Sequence, residues 1–190
     1  RGSSNILVDG ETLTLTIQND SSFDGGIGDF NPGQQGGALI KKGNSTLALN
    51  RSQALANLSS LQLEQGQLTL NEGRNGTIQQ TFISQGATLA LPNTTSALNS
   101  QQLTINDGGS LQGIGTISGQ INNEGSVSPG NSIGTLTIDG NYFQGLTNPK
   151  ASLNIEVNGS TSDLLRIVGS NRIILLGGNL NVSSYNNAPI

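Results

Sequence analysis

Apolar and polar residues alternate along most of this chain in short runs broken by glycine, and one run keeps returning. Gly43-Asn-Ser-Thr-Leu47-Ala-Leu49 is followed by Gly66-Gln-Leu68-Thr-Leu70 and by Gly86-Ala-Thr-Leu89-Ala-Leu91, so the key leucines advance by 21 residues at each step. Ahead of these phrases stand Ile40, Leu63 and Ile83, and Ile105 precedes the related Gly109-Ser-Leu111. Period-2 alternation sends successive side chains to opposite faces of a strand. A repeat of this length, with no helical stripe inside it, is one turn of a solenoid written again and again. The expected fold is all-β: a parallel β-helix, a single-stranded solenoid in which like side chains stack about 4.8 Å apart. Two interior columns are expected, Leu47, Leu68, Leu89 and Leu111 in one and Ile40, Leu63, Ile83 and Ile105 in the other.

The chain reads as one β-helical unit, 1–190, in three parts. In the first, about residues 1–50, strands over Asn5 to Val8 and Thr12 to Ile17 precede a Gly- and Asp-rich excursion from Ser21 to Gly37. That excursion is read as a loop or ragged coil, and Ala38 to Lys41 resumes the ladder. The second, 51–112, holds the regular ladder, and its connection Ser52 to Leu58 is read as one short helical turn protruding from the stack. The third, 113–190, tightens into glycine-punctuated strands: Gly115 to Gly119, Gly125 to Val127, Gly134 to Ile138, Leu153 to Val157, Leu164 to Val168, Arg172 to Leu176 and Asn179 to Val182. Asparagines at strand ends (Asn50, Asn71, Asn93, Asn106, Asn122, Asn123) fit turn punctuation, with hydrogen-bonded ladders between coils as the companion reading.

Composition supports a solenoid over a layered fold. Only 33% of the residues are hydrophobic and 3% aromatic, thin for a packed sandwich, whereas each coil of a solenoid buries one narrow column. Each buried Leu, Ile or Val contributes roughly 1.5–3 kcal/mol. With 11% charged residues and abundant Thr, Ile and Leu, the chain lacks the signature of disorder despite its 27 glycines. A net charge of −4, no basic run longer than Lys41-Lys42 and no aromatic platform argue against nucleic-acid or anionic-membrane binding. No cysteine is present, so disulfides and thiolate metal sites are excluded. No stretch approaches a membrane span, and Arg1-Gly-Ser-Ser-Asn5 lacks a signal-peptide core, so the chain is expected to be an excerpt of a longer polypeptide.

Several motifs invite a chemical reading and lose it in context. Gly130-Asn-Ser132-Ile-Gly134 fits the nucleophile-elbow pattern, but Pro129 precedes it and a strand, not a helix, is expected after it. The sequence contains no histidine to take the serine proton. Gly25-Gly-Ile-Gly28-Asp29 approaches a calcium-binding nonapeptide, with the aspartate one position early and no tandem copy; Asp24 and Asp29 are the residues a lone calcium ion would use. Paired carboxylates would suit a carbohydrate-cleaving β-helix, yet Glu64 and Glu72 flank one strand, and Asp107, Glu124 and Asp139 occupy separate turns beside glycine. Gly113-Ile-Gly115 lacks the third glycine of a nucleotide-binding loop. Asn44, Asn57, Asn93 and Asn158 stand in Asn-X-Ser/Thr triplets, as expected by chance in so polar a chain. No catalytic, cofactor-binding or metal-ligating residue is assigned, and the chain is read as non-enzymatic.

Two stretches resemble a known family. Ala38-Leu-Ile-Lys-Lys-Gly-Asn-Ser-Thr-Leu-Ala-Leu-Asn50 is similar to the passenger-associated repeat of bacterial autotransporters (type V secretion). Gly115-Thr-Ile-Ser-Gly-Gln-Ile-Asn-Asn-Glu-Gly-Ser-Val-Ser-Pro-Gly-Asn-Ser-Ile-Gly-Thr-Leu-Thr-Ile-Asp-Gly-Asn-Tyr-Phe-Gln144 resembles, nearly letter for letter, a segment near the C-terminal end of pertactin-like passengers. Ser152-Leu-Asn-Ile-Glu-Val157, Ser162-Asp-Leu-Leu165 and Gly177-Gly-Asn-Leu-Asn-Val182 match its following phrases, so the resemblance spans about residues 10–183. It departs at Asn44-Ser45, where the family has a small pair.

The resemblance implies a right-handed, three-sided parallel β-helix exported through the outer membrane and displayed on the bacterial cell surface. The implied role is a structural stem serving adhesion or virulence, without cofactors. Its implied partners are the protein's own outer-membrane β-barrel translocator, absent from this chain, and a host-cell or extracellular-matrix receptor or a second copy of itself. A carbohydrate-binding or carbohydrate-cleaving β-helix is the alternative. By the same resemblance, the carboxy-terminal part carries an autochaperone-like folding role. The apolar density of Leu164 to Val168 and Ile173 to Leu176 is accordingly expected to give Gly134 to Val182 the highest hydrogen-exchange protection, with the lowest at Ser21 to Gly37.

Overall fold

The computed structural model describes residues 4–30, 36–73, 76–170 and 172–185. Its 22 short strands wind into a β-solenoid of about six turns, with three sheets running along the stack. A three-stranded sheet joins β1 (Ile6–Leu7), β4 (Ile27–Gly28) and β7 (Leu55–Ala56). A ten-stranded sheet opens with β2 (Thr12–Thr16), β5 (Ala38–Lys42), β8 (Ser60–Leu63), β10 (Ile78–Ile83), β12 (Ala97–Ile105) and β14 (Thr116–Asn123). It closes with β16 (Thr135–Asp139), β17 (Tyr142–Gln144), β20 (Leu164–Val168) and β21 (Ile174–Leu176). The nine-stranded sheet starts with β3 (Ser21–Phe23), β6 (Thr46–Leu49), β9 (Gly66–Leu70), β11 (Ala87–Leu91) and β13 (Ser110–Gly113). It continues through β15 (Ser126–Pro129), β18 (Ser152–Asn158), β19 (Thr161–Ser162) and β22 (Asn179–Ser184). Every strand pair is parallel except the hairpin of β18 with β19.

The repeat is one coil. Leu47 pairs with Leu68, Leu68 with Leu89 and Leu89 with Leu111, and the column continues through Val127 and Leu153 to Leu180. The second expected column is shifted at its start. Lys41, not Ile40, pairs with Leu63, which pairs with Ile83 and then Ile105; Ile40 stands beside Gln62 on the outer face. In β5 burial alternates with Leu39 inside, so the residue two positions on must also point inward, and that residue is lysine.

Lys41 is 1% exposed. Its ammonium donates to the carbonyl oxygens of Gly43 (2.7 Å), Ser45 (2.5 Å) and Gln65 (2.7 Å), so all three donors are satisfied at the turn between two sheets. Burial pulls its pKa below the usual lysine range, and the negative charge of Asp20 opposes that shift. At this turn Gly43, Gly66, Gly86 and Gly108 all take positive φ, from 66° to 82°, a conformation glycine adopts without penalty. A Cβ on Gly66 would lie 2.6 Å from the Lys41 Nζ and 2.5 Å from the Gly43 oxygen.

The same column turns polar again at its far end, where Ile105 is followed by Asn123 and Gln144. Asn123 donates to the Tyr142 hydroxyl (3.2 Å), to Gln144 Oε1 (3.3 Å) and to the Ser152 carbonyl (3.1 Å), and accepts from the Gly125 N–H (3.0 Å). The Tyr142 hydroxyl donates to Gln144 Oε1 at 2.8 Å, and burial raises the tyrosine pKa well above its ordinary value, partly offset by the Asn123 hydrogen bond. No buried side-chain polar atom among the described residues lacks a partner.

One other expectation changes. The Ser52 to Leu58 connection is no helical turn: it contains β7, and Ala54, Leu55, Ala56 and Leu58 are buried beneath it. Burial against β4 overrides the local helical propensity of this Ala- and Leu-containing stretch. Of the two readings of the Ser21 to Gly37 excursion, loop or ragged coil, the structure has the coil, which supplies β3 and β4 to two sheets; its residues 31–35 lie outside the described residues. The apolar density of the last coil does not become burial. Ile173, Ile174, Leu175, Leu176, Leu180 and Val182 are all exposed, because no described coil stacks beyond β20, β21 and β22.

Candidate functional site

Where β15 ends at Pro129 the chain leaves the ladder. Gly130 (φ 91°) donates to the Gly113 carbonyl at 2.8 Å, and residues 131–134 then bend outward to reach β16. Ser132 lies in this bend at φ 150°. A strand follows it, so the helix a nucleophile elbow requires is missing. The nearby carboxylate of Asp163, 5% exposed, is engaged by backbone: Oδ1 accepts from the Gly134 N–H and Oδ2 from the Glu156 N–H, both at 2.9 Å. A Cβ on Gly130 would come 2.4 Å from Asp163 Oδ1, which explains glycine there. Asp163 therefore fastens the bend to β18, and the sequence has no histidine to serve Ser132 as its base.

Beyond this bend lies a cleft of about 520 Å³. It exists because the strands of the nine-stranded sheet differ in length: β13 and β15 stop at Gly113 and Pro129, while β18 and β22 run on to Asn158 and Ser184. Outward-facing residues of successive coils line it, Gln112 beside Ser128 and Glu156 beside Ser183. Part of the lining is tied down. Asn154 donates to Ser126 Oγ (2.8 Å) and Ser128 Oγ (3.0 Å) and accepts from Asn181 (2.8 Å). Gln112, Ser132, Glu156, Ser183 and Tyr185 line the same space, and their side chains make no hydrogen bond to a described residue.

Two smaller depressions lie on the ten-stranded sheet. One, about 380 Å³, is lined by Gln79, Gln80, Gln101, Gln102 and Gln120, of which Gln80, Gln102 and Gln120 form one stacked row. The other, about 440 Å³, gathers Phe143 and Leu146 beside Thr104 and Asn122.

The acidic residues singled out in the sequence are dispersed, and five of them, Asp24, Asp29, Glu64, Asp107 and Glu124, are engaged by groups of the fold itself. Asp29 is buried and accepts backbone N–H groups of Asp9 (2.5 Å), Gly10 (3.4 Å) and Gly37 (2.8 Å), and Asp24 accepts from Asn50 (2.8 Å). Glu124 accepts the N–H groups of Leu146, Thr147 and Asn148, and Asp107 accepts from the Asn148 side chain. Glu64 pairs with Lys42 at 3.1 Å on the surface. Among the described residues no three His, Cys, Asp or Glu side chains gather as metal ligands. Asparagine builds a ladder as well as turns: Asn71 donates to Asn50 Oδ1 (2.6 Å), and Asn93 to the Asn71 carbonyl (2.8 Å).

Sequence reasoning found Ser132 and passed over the residues that accompany it. Gln112, Glu156, Asp163 and Ser183 are 20 or more residues from it in sequence and meet only through the register of the coils. Searches against family models, characterised proteins and solved structures find no match for this chain.

Proposed function

We propose that this chain is a non-catalytic, structural β-solenoid stem from the passenger of a bacterial autotransporter, displayed on the cell surface and serving adhesion or virulence. The observation that carries the reading is the phrase Gly115 to Gln144, whose resemblance to pertactin-like passengers runs through three consecutive strands of the solenoid, β14, β15 and β16, and into β17. A stack of short parallel strands extends a surface by repetition, and its buried columns tolerate outer faces of Ser, Thr, Asn and Gln. The absence of cysteine suits a chain that crosses an oxidising periplasm unfolded. In this reading its partners are its own outer-membrane β-barrel translocator and a host-cell or matrix receptor, or another copy of itself.

The test is protease treatment of intact producing cells, followed by immunodetection of this segment. The reading expects the signal to be present before treatment and lost after it, with a periplasmic marker untouched. A segment that stays protected until the cells are lysed contradicts it. The complete reading frame gives a second check, because the proposal requires a downstream barrel of alternating strands.

A further inference from the structure

We propose that the cleft beside the Gly130 to Gly134 bend is a binding site for a neutral oligosaccharide. Its volume, about 520 Å³, lies within the range of small-molecule sites, roughly 300–1,000 Å³. Its chemistry selects the ligand. Glu156 offers a carboxylate that accepts hydrogen bonds, Gln112 offers an amide that both donates and accepts, and Ser132 and Ser183 offer hydroxyls that do both. Adjacent hydroxyl groups of a pyranose need such a mixture, since each is donor and acceptor at once. Tyr185 supplies what the polar side chains do not, an aromatic face for the C–H side of a sugar ring with a hydroxyl at its edge.

The two classes of side chain found in the cleft divide the labour. Asp163 and Asn154 have their polar atoms committed to the fold, so the bend and the sheet floor are held before any ligand arrives. Gln112, Ser132, Glu156, Ser183 and Tyr185 have none of theirs committed to a described residue. Such a floor lowers the ordering cost of association.

Other ligands fit less well. The described lining holds two carboxylates and no Lys or Arg, so phosphorylated, sulfated and uronic-acid ligands meet repulsion. Its side chains are polar apart from Pro129 and the Tyr185 ring, which leaves little to hold an apolar peptide side chain. A divalent cation would have to take Asp163 from two backbone N–H groups.

This proposal stands apart from the surface-display reading, because the cleft binds sugar or does not wherever the chain resides. The experiment is calorimetric titration of the 190-residue chain with cellohexaose, mannohexaose and chitohexaose, and with hexagalacturonate as the anionic counterpart. At least one neutral hexaose is expected to bind saturably at millimolar concentration or below, and hexagalacturonate more weakly. Glu156→Gln and Tyr185→Ala should each weaken that binding by about tenfold or more. Gln80→Ala, in the glutamine row of the other sheet, should leave it unchanged. Amide chemical-shift changes on the unaltered chain should map to Gln112, Glu156 and Ser183, a readout that holds even if a variant misfolds. The proposal is overturned if no neutral hexaose binds, if hexagalacturonate binds more tightly, if both cleft variants bind as the parent does, or if the shifts map elsewhere.

Discussion

In the middle of the stack Leu68, Leu89 and Leu111 each lie between two apolar neighbours of the same column and are fully buried, whereas Leu180, at the end of that column, is 65% exposed. The chemistry of the side chains is the same, and so is their register. The difference is that a middle coil is covered on both sides and the last described coil on one. In a solenoid, stability resides largely in the interfaces between neighbouring coils, so an apolar residue gains from burial only where a second coil completes the column. Ile105 and Leu176 repeat the lesson one sheet away: both occupy inward positions of one column, and only the first is enclosed.

The largest expected difference comes from truncating the two ends of this comparison. Leu89→Ala should cost about 2–5 kcal/mol, the range for deleting a buried leucine side chain. Leu180→Ala should stay within about 0.5 kcal/mol, as for an exposed position. Denaturant midpoints of the two variants measure the contrast, and equal losses would break it. A smaller effect is expected from the buried polar cluster. Asn123→Ala leaves the Gly125 N–H without its acceptor and should cost about 1–3 kcal/mol. Asn122→Ala, one residue earlier and pointing outward, should cost under about 0.5 kcal/mol.

A further effect, confined to alkaline solution, is a pH dependence. Burial raises the Tyr142 pKa, so above the unfolded-state value of about 10 the unfolded chain gives up the tyrosine proton while the folded chain keeps it. Stability attributable to this group is thus complete below pH 10 and falls as pH rises beyond it, by roughly 1.4 kcal/mol per pH unit. Tyr142→Phe should lose that part of the alkaline slope. A variant whose stability falls with pH as steeply as the parent's would contradict the burial of the hydroxyl.

Much of the architecture was legible in the sequence because strand alternation and coil period are both local patterns. The leucine column from Leu47 to Leu111 follows from a repeat of one phrase, and strands β14 to β16 from glycine punctuation. The lysine in the second column was legible too, since strict alternation from Leu39 reaches Lys41. Hydrophobicity alone favoured Ile40, and the three carbonyl acceptors that make an interior ammonium tolerable are invisible without the turn geometry. The strand at Leu55-Ala56 was hidden for a different reason, because two residues carry no period and only pairing with β4 defines them. The cleft was the least legible feature. It arises from a mismatch in strand length between coils, and Gln112, Glu156 and Ser183 carry no motif that links them. Exposure of the last coil was likewise unreadable, as it depends on what stacks next rather than on the coil's own residues.

Hydrogen exchange resolved by residue tests most directly the claim that coverage on both sides, not apolar content, sets stability along the stack. Backbone amides of β8 to β14, around Leu63, Leu89, Ile105 and Ile121, should exchange most slowly, and those of β21 and β22 much faster despite Ile174, Leu175, Leu176, Leu180 and Val182. Maximal protection within residues 174–184, exceeding that of β8 to β14, would contradict the account.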